Sequence, residues 1–568
     1  MILILLSWVY MFFTAFSFGI ALSKALRIQQ FDVVITPILG LFSITVLTTA
    51  WAFFGPIAIT YHSILLIVSV LFWFNNKETF NLVLKDFLAK IIDFQLPLKI
   101  LLAASSLLIL AQSATLPFII DNESYYIQTI KWLNQYGFVK GLANLHLFLG
   151  QMSGWHITQS AYSFSFLYNR FNDLNGFCLL LGNIFAFKKL DSYLSSGNRW
   201  DLTFGLLPLT YAFLFQFVSS PSPDLPVYIF GFILFSYYLQ NENKKERFLI
   251  IGILSIYAVF IKVTALVLLL FPLFLLLQNF KVLKKELVKI TFIGGLVLFL
   301  LLLKNTMLTG YPLFPLLCFR LDFLDFTVPG IIMDYFFSKS MLHSFYYPYG
   351  AFDKSSVSDI LKHYFLFNGM TGYIGIATVF TLLLFPIMII KMRLQKSIWA
   401  MYFAFVILAV LLCFSSPQYR FYIYFSLFFW LILVSFLASK PTLATRLIAL
   451  SMILCSLFVL VPMSFSKLTD NKLLGQNSTF HLKNILIPEP NSKWKPEYRG
   501  GSVGNMHYHS PIDESFFWVT GNGEIPCINT EQLDYFHQGF SIIPQQRSID
   551  LKDGFYAQKV SVGENEDE

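Results

Sequence analysis

Charge is scarce in this chain: Asp, Glu, Lys and Arg make up 13% of its 568 residues, against 56% hydrophobic residues and 64 Phe. That balance excludes a water-soluble globule and describes a polypeptide mostly dissolved in lipid. A Gly-rich phosphate loop is missing, so no nucleotide cofactor is expected, and no internal repeat is found. The five cysteines, Cys178, Cys318, Cys413, Cys455 and Cys527, are scattered, with neither metal-ligand spacing nor a disulfide pattern. Met1 to Leu22 lacks the basic start and small-residue cleavage site of a secretory signal. Its length suits a bilayer crossing of roughly 20 residues, and it reads as a retained first span. The formal charge of +8 points to no nucleic acid, because the basic residues fall in short breaks between apolar runs.

Those apolar runs predict about fourteen spans, near 1–22, 33–53, 57–74, 100–119, 174–190, 202–218, 225–240, 248–261, 263–279, 290–304, 371–390, 398–414, 421–438 and 443–463. A backbone in lipid must satisfy its own hydrogen bonds, so the fold class is an all-α polytopic transmembrane bundle. Lys24/Arg27, Lys77/Lys85/Lys90/Lys99, Lys188/Lys189/Arg199, Lys244/Lys245/Arg247, Lys281/Lys284/Lys285/Lys289, Lys391/Arg393/Lys396 and Lys440/Arg446 occupy every second connection. The positive-inside rule makes those connections cytoplasmic. The opposite, external side then receives the long loop 119–173, Ser219 to Asp224, the Lys262 hairpin, the second long loop 305–370, Ser415 to Arg420 and everything after residue 463. The chain thus divides into a transmembrane domain, 1–463, and a small external domain, 464–568. Alternations such as Phe516-Phe-Trp-Val and Phe540-Ser-Ile-Ile suggest some β structure in the latter, and the acidic end 563–568 is expected to be disordered.

Within the first external loop, Asp121-Asn-Glu123-Ser-Tyr125-Tyr126 sets two carboxylates and two tyrosines directly after an apolar run. Carboxylates at a bilayer edge are usually retained for ion, proton or substrate work. The plainer reading of Asp121 is a helix N-cap, with Glu123 set favourably against the helix dipole. Tyr126, Ile127, Ile130, Leu133 and Phe138 follow the spacing of an amphipathic helix lying at the interface and stopped near Gly137. Glycines beyond it allow turns that bring His146 and His156 back toward the acids, although an interfacial histidine is more often structural. On the same side, Asp224 sits in Ser-Pro-Ser-Pro-Asp-Leu-Pro, ordinarily a turn. Lys262 interrupts about thirty apolar residues, either as a snorkelling side chain or as a cation for a phosphate. Arg420 is either an interfacial anchor or a bidentate phosphate ligand.

The run ending in Asp121-x-Glu123-x-Tyr125-Tyr126 resembles the acidic motif in the first large external loop of GT-C superfamily glycosyltransferases. The likeness implies a GT-C-like bundle with interfacial helices in that loop, at the cell inner membrane with its site on the periplasmic side. It implies a polyprenyl-phosphate sugar as donor and a lipid, glycan or protein as acceptor. It further implies Asp121 as base with Glu123 beside it, and Asp224 and the Arg420 loop as further acidic and phosphate-binding elements; Tyr125, His146 and Lys262, expected on the same side, are read with them as substrate-binding groups. A divalent cation is left open, since Asn122 and Ser124 depart from the adjacent-acid forms. The segments Gly-Leu-Ala-Asn-Leu-His146, Ser-Pro-Ser-Pro-Asp224-Leu-Pro, Lys304-Asn-Thr-Met-Leu-Thr-Gly310-Tyr-Pro-Leu-Phe-Pro315 and Pro526-Cys527 look like a family of bacterial polytopic membrane proteins, a likeness that carries no substrate. A surface-polysaccharide polymerase or ligase, and a transporter or flippase of lipid-linked saccharides, are the alternatives.

Overall fold

Two glycines set the first helix crossing. A methyl group on Gly19 would stand 1.9 Å from the Thr36 carbonyl oxygen, and one on Gly40 would stand 1.6 Å from that of Ala15. Helices α1 (Ile2–Leu26) and α2 (Ile35–Ala52) therefore touch backbone to backbone, the way small residues pack helices in lipid. The computed structural model describes the chain except residues 169, 241–242, 341–355, 357, 360–361, 364–365, 368, 469–474, 513–516 and 561–568. The aromatic run 345–349 and the acidic end 563–568 thus lie outside the described residues.

The protein is mostly helical, and among the described residues eight helical stretches are long and apolar enough to cross a membrane. α3 (Ile59–Asp93) and α4 (Leu96–Ser113) follow α1 and α2. The first long loop holds α5 (Ile127–Gln135) and α6 (Gly154–Ser160), and α7 (Leu174–Ser196) follows it. α8 (Arg199–Gly205), α9 (Tyr211–Leu214), α10 (Asp224–Leu239), α11 (Lys244–Ile261) and α12 (Leu270–Thr309) continue the bundle. Met370–Lys391, Lys396–Cys413, Ile423–Leu437 and Pro441–Leu460 complete it.

Several expected boundaries differ, three of them with a local cause in the chain. The run 202–218 is not one helix: α8, a 3-10 turn at Leu207–Thr210, α9 and a second 3-10 turn at Phe215–Phe217 follow one another. Pro208 lacks the N–H that a continuous ladder needs there. The basic stretches after residues 74 and 279 are helical rather than loops. In α3 and α12 two helices meet at a kink, at Asn76 (φ −130°, ψ 16°) and Asn279 (φ −134°, ψ 31°), with no loop between them. Each asparagine amide donates to the carbonyl four residues earlier, Phe72 at 2.7 Å and Leu275 at 3.3 Å. The side chain thereby supplies a donor that the bent backbone withholds.

The bundle has two unlike ends. At one, Lys188 pairs with Asp32, Lys189 with Asp201 at 2.9 Å, and Lys289 donates to the Leu26 carbonyl at 2.8 Å. The other end carries the loop 119–173 and, against it, residues 464–568. There β1 (Tyr498–Val503) and β2 (Met506–Pro511) form one antiparallel pair, and β3 (Ile542–Gln546) and β4 (Phe555–Lys559) another. Helix Thr530–Phe540 connects toward the second pair. Trp518, Phe536 and Ile542 pack with Ala143, Leu147 and Phe314, so this region is seated on the loop.

Candidate functional site

Asp121 stands where the chain widens from an α to a π turn, Asn122–Tyr126, before narrowing again into α5. A π turn brings residues five apart onto one face. Accordingly the Tyr126 hydroxyl lies 3.4 Å from Asp121 Oδ2. The Asp121 carboxylate makes no helix cap. It instead forms an ion pair with Arg420, from a turn almost three hundred positions away in sequence. Both side chains keep contact with solvent, Asp121 at 17% and Arg420 at 26% exposure, which leaves this pair open to a ligand.

The second pair is deeper. Asp224 is the first residue of α10 and Lys262 the C-cap of its neighbour α11. The positive end of one helix dipole and the negative end of the other thus face the charges they favour. Lys262 pairs with Asp224, whose side chain is 1% exposed, and sits 4.2 Å above the Phe421 ring. One turn along α10, the Tyr228 hydroxyl donates to the Arg420 carbonyl at 2.7 Å, and Arg420 Nε donates to Gln418 Oε1 at 2.7 Å. Arg420 therefore feels both Asp121 and Asp224, and Lys262 feels the same two carboxylates.

Lys304 adds a third basic side chain, without a carboxylate partner among the described residues. Its ammonium donates to the Gln151 and Met152 carbonyls at 3.3 and 2.7 Å, and the Gln151 side chain takes the Tyr125 hydroxyl at 3.4 Å. Arg420, Lys262 and Lys304 set three basic side chains beside two carboxylates, a set suited to a phosphate. His156 packs against Tyr126 with ring centroids 4.5 Å apart and the rings tilted, and burial lowers its pKa to about 3, so it is a neutral wall of the site. Of the expected residues, Asp121, Tyr125, Asp224, Lys262 and Arg420 come together. Lys304, Gln151, His156, Tyr228 and Phe421 complete the site. Of these, His156 is the histidine that the glycine turns were expected to bring toward the acids, and Lys304, a charge in an apolar run, also left a signal in the sequence that points to such a place.

Glu123 does not share this pocket. Its carboxylate accepts from Ser492 Oγ at 2.6 Å, the Lys493 N–H at 2.9 Å and the Asn122 amide at 3.1 Å, and its carbonyl accepts the N–H groups of Thr520 and Gly521. The pairing with Asp121 expected from sequence fails because residues two apart point to different faces of a helix. Burial pushes the Glu123 carboxyl pKa up, and the three donors pull against that. Glu123→Ala strands the Lys493 N–H, at about 1–3 kcal/mol for such a group, and leaves Ser492 Oγ and the Asn122 amide with only the Trp494 and Asn491 carbonyls as acceptors. Limited proteolysis should then release residues 464–568 faster than from the wild type; an unchanged digestion rate contradicts the assignment.

His146 is likewise a tie to the C-terminal region rather than a site wall. Its Nδ1 accepts the Phe148 N–H at 3.2 Å, so the proton sits on Nε2, which donates to the Trp518 carbonyl at 3.0 Å. Burial lowers its pKa to about 4 from 6.5. An undocked His146 binds a proton first, so docking is complete above pH 6.5 and weakens as pH falls toward 4, by roughly 3 kcal/mol in all. Hydrogen exchange around residues 518–523 should rise over that window and stay flat in His146→Gln, which keeps an N–H donor without titrating. Equal pH profiles for the two proteins contradict it.

No group of three or more His, Cys, Asp or Glu side chains among the described residues is placed to hold a metal ion. The model of the family described as Domain of unknown function (DUF8201) matches residues 1–428, and the chain belongs to that family. No curated protein and no solved structure matches.

Proposed function

We propose that this member of the DUF8201 family is an integral-membrane glycosyltransferase of GT-C type. It moves a sugar from a polyprenyl-phosphate donor to an acceptor hydroxyl at the outer face of the cytoplasmic membrane. The observation that supports this reading is the meeting of two ion pairs, Asp121–Arg420 and Asp224–Lys262, at the end of the bundle away from its basic loops. A donor of this kind keeps its prenyl tail in lipid and presents a sugar phosphate at the surface. Its phosphate competes with Asp121 for Arg420 and with Asp224 for Lys262, so donor arrival releases a carboxylate beside the sugar. Asp121 then takes the acceptor proton as the acceptor oxygen bonds to the anomeric carbon. The bond from that carbon to the phosphate oxygen breaks, and the electron pair leaves with the polyprenyl phosphate. Arg420 and Lys262, with Lys304 behind them, stabilise the developing phosphate charge. A single displacement inverts the anomeric centre.

The test is purified protein in lipid nanodiscs with a radiolabelled polyprenyl-phosphate sugar and a membrane extract as acceptor. Label in a new, anomerically inverted product supports transfer. In sealed vesicles, label that crosses the bilayer without changing carrier would instead mark a flippase and overturn the proposal, as would label that does neither.

A further inference from the structure

At the basic end of the bundle, opposite the two ion pairs, a cavity of about 280 Å³ opens between the residues after α1, the end of α10 and the start of α11. Gln29, Gln30, Gln240, Asn243, Glu246 and Arg247 line it. Three features bear on what it holds. The 18-residue helix α11 begins here, so the positive end of its dipole faces the cavity, and exposed Lys244 and Lys245 stand in its first turn. Arg247 is nine-tenths buried, its Nε has no hydrogen-bond partner among the described residues, and it forms no ion pair there. Glu246 is already engaged, accepting the Gln30 N–H at 3.3 Å while its own N–H reaches Asn243 Oδ1 at 3.5 Å.

A guanidinium Nε buried without an acceptor is unfavourable, and a ligand oxygen removes that penalty. The planar fork of arginine matches the oxygens of a phosphate, and the side-chain amides of Gln29, Gln30 and Gln240 offer further donors around it. We propose that this cavity is a phosphate-binding site, taking the phosphate of a lipid headgroup or of a soluble phosphate ester. Its place beside the end of α1, which is long and apolar enough to cross a membrane, favours the lipid source. The proposal does not depend on the transferase reading, because the cavity and the ion-pair site occupy opposite ends of the bundle.

Native mass spectrometry of the full chain in detergent tests it, with three probes: short-chain phosphatidylglycerol, diacylglycerol of the same chain length, and glycerol phosphate. Phosphatidylglycerol is expected to remain bound at one per chain while diacylglycerol is lost. Arg247→Gln should weaken that binding by about tenfold or more, and Arg247→Lys, which keeps the charge but not the fork, should fall between. Glycerol phosphate that binds as tightly as the lipid and competes with it supports the phosphate site and assigns it a soluble ester. Retention of neither phosphate probe by the wild type overturns the proposal. So does equal retention of phosphatidylglycerol by a monodisperse Arg247→Gln protein.

Discussion

Replacing Asp121 by Asn should slow sugar transfer by about 10²–10⁴-fold, the usual range for removing a general base. The substitution is nearly isosteric, and the new amide oxygen can still accept from Arg420 and Tyr126, the present neighbours of the carboxylate. Expression and membrane insertion should be unchanged. Donor affinity should be equal or higher, because Arg420 loses its competing anion. Initial rates with a labelled polyprenyl-phosphate sugar separate these effects: the expected outcome is a lower kcat with KM unchanged or reduced. Undiminished kcat would remove Asp121 as the base.

Lys262→Met should destabilise the protein by about 3–5 kcal/mol, because it strands the Asp224 carboxylate at 1% exposure without its partner. Adding Asp224→Asn removes the stranded charge and should recover most of that loss in a thermal or denaturant unfolding measurement. The double variant also divides the two readings of this pair. If the pair only holds α10 to α11, the recovered protein recovers transfer as well. If Lys262 neutralises the departing phosphate, folding returns and transfer does not.

The end of the bundle at which these residues meet was legible because spans and basic loops alternate. Hydropathy located Asp121, Asp224, Lys262 and Arg420 at helix ends, and the positions of Lys188, Lys189 and Lys289 assigned those ends to one side. Hydropathy does not resolve what happens inside an apolar run. Leu206 and Pro208 lie in a stretch as apolar as any span, yet the helix breaks there for want of one N–H group. Asn76 and Asn279 lie near the ends of expected spans, where each sits at a kink between two helices and bonds through its side chain to the preceding turn. The acids were misjudged for a related reason. Asp121 and Glu123 looked like a pair because they are close in sequence, while helical geometry turns one to Arg420 and the other to Ser492. Tyr228 and Gln151 carried no signal at all, since an uncharged side chain in a membrane helix or an interfacial turn resembles its neighbours until its partner is placed.

The most direct test of the central claim, that the two ion pairs form a phosphate-recognition site, is a structure of the protein in nanodiscs with polyprenyl phosphate bound. The phosphate is expected between Arg420 and Lys262, with the Asp121–Arg420 contact opened and the Asp121 carboxylate turned toward the sugar-binding space. A phosphate held elsewhere, with Asp121–Arg420 and Asp224–Lys262 both still closed, would contradict it.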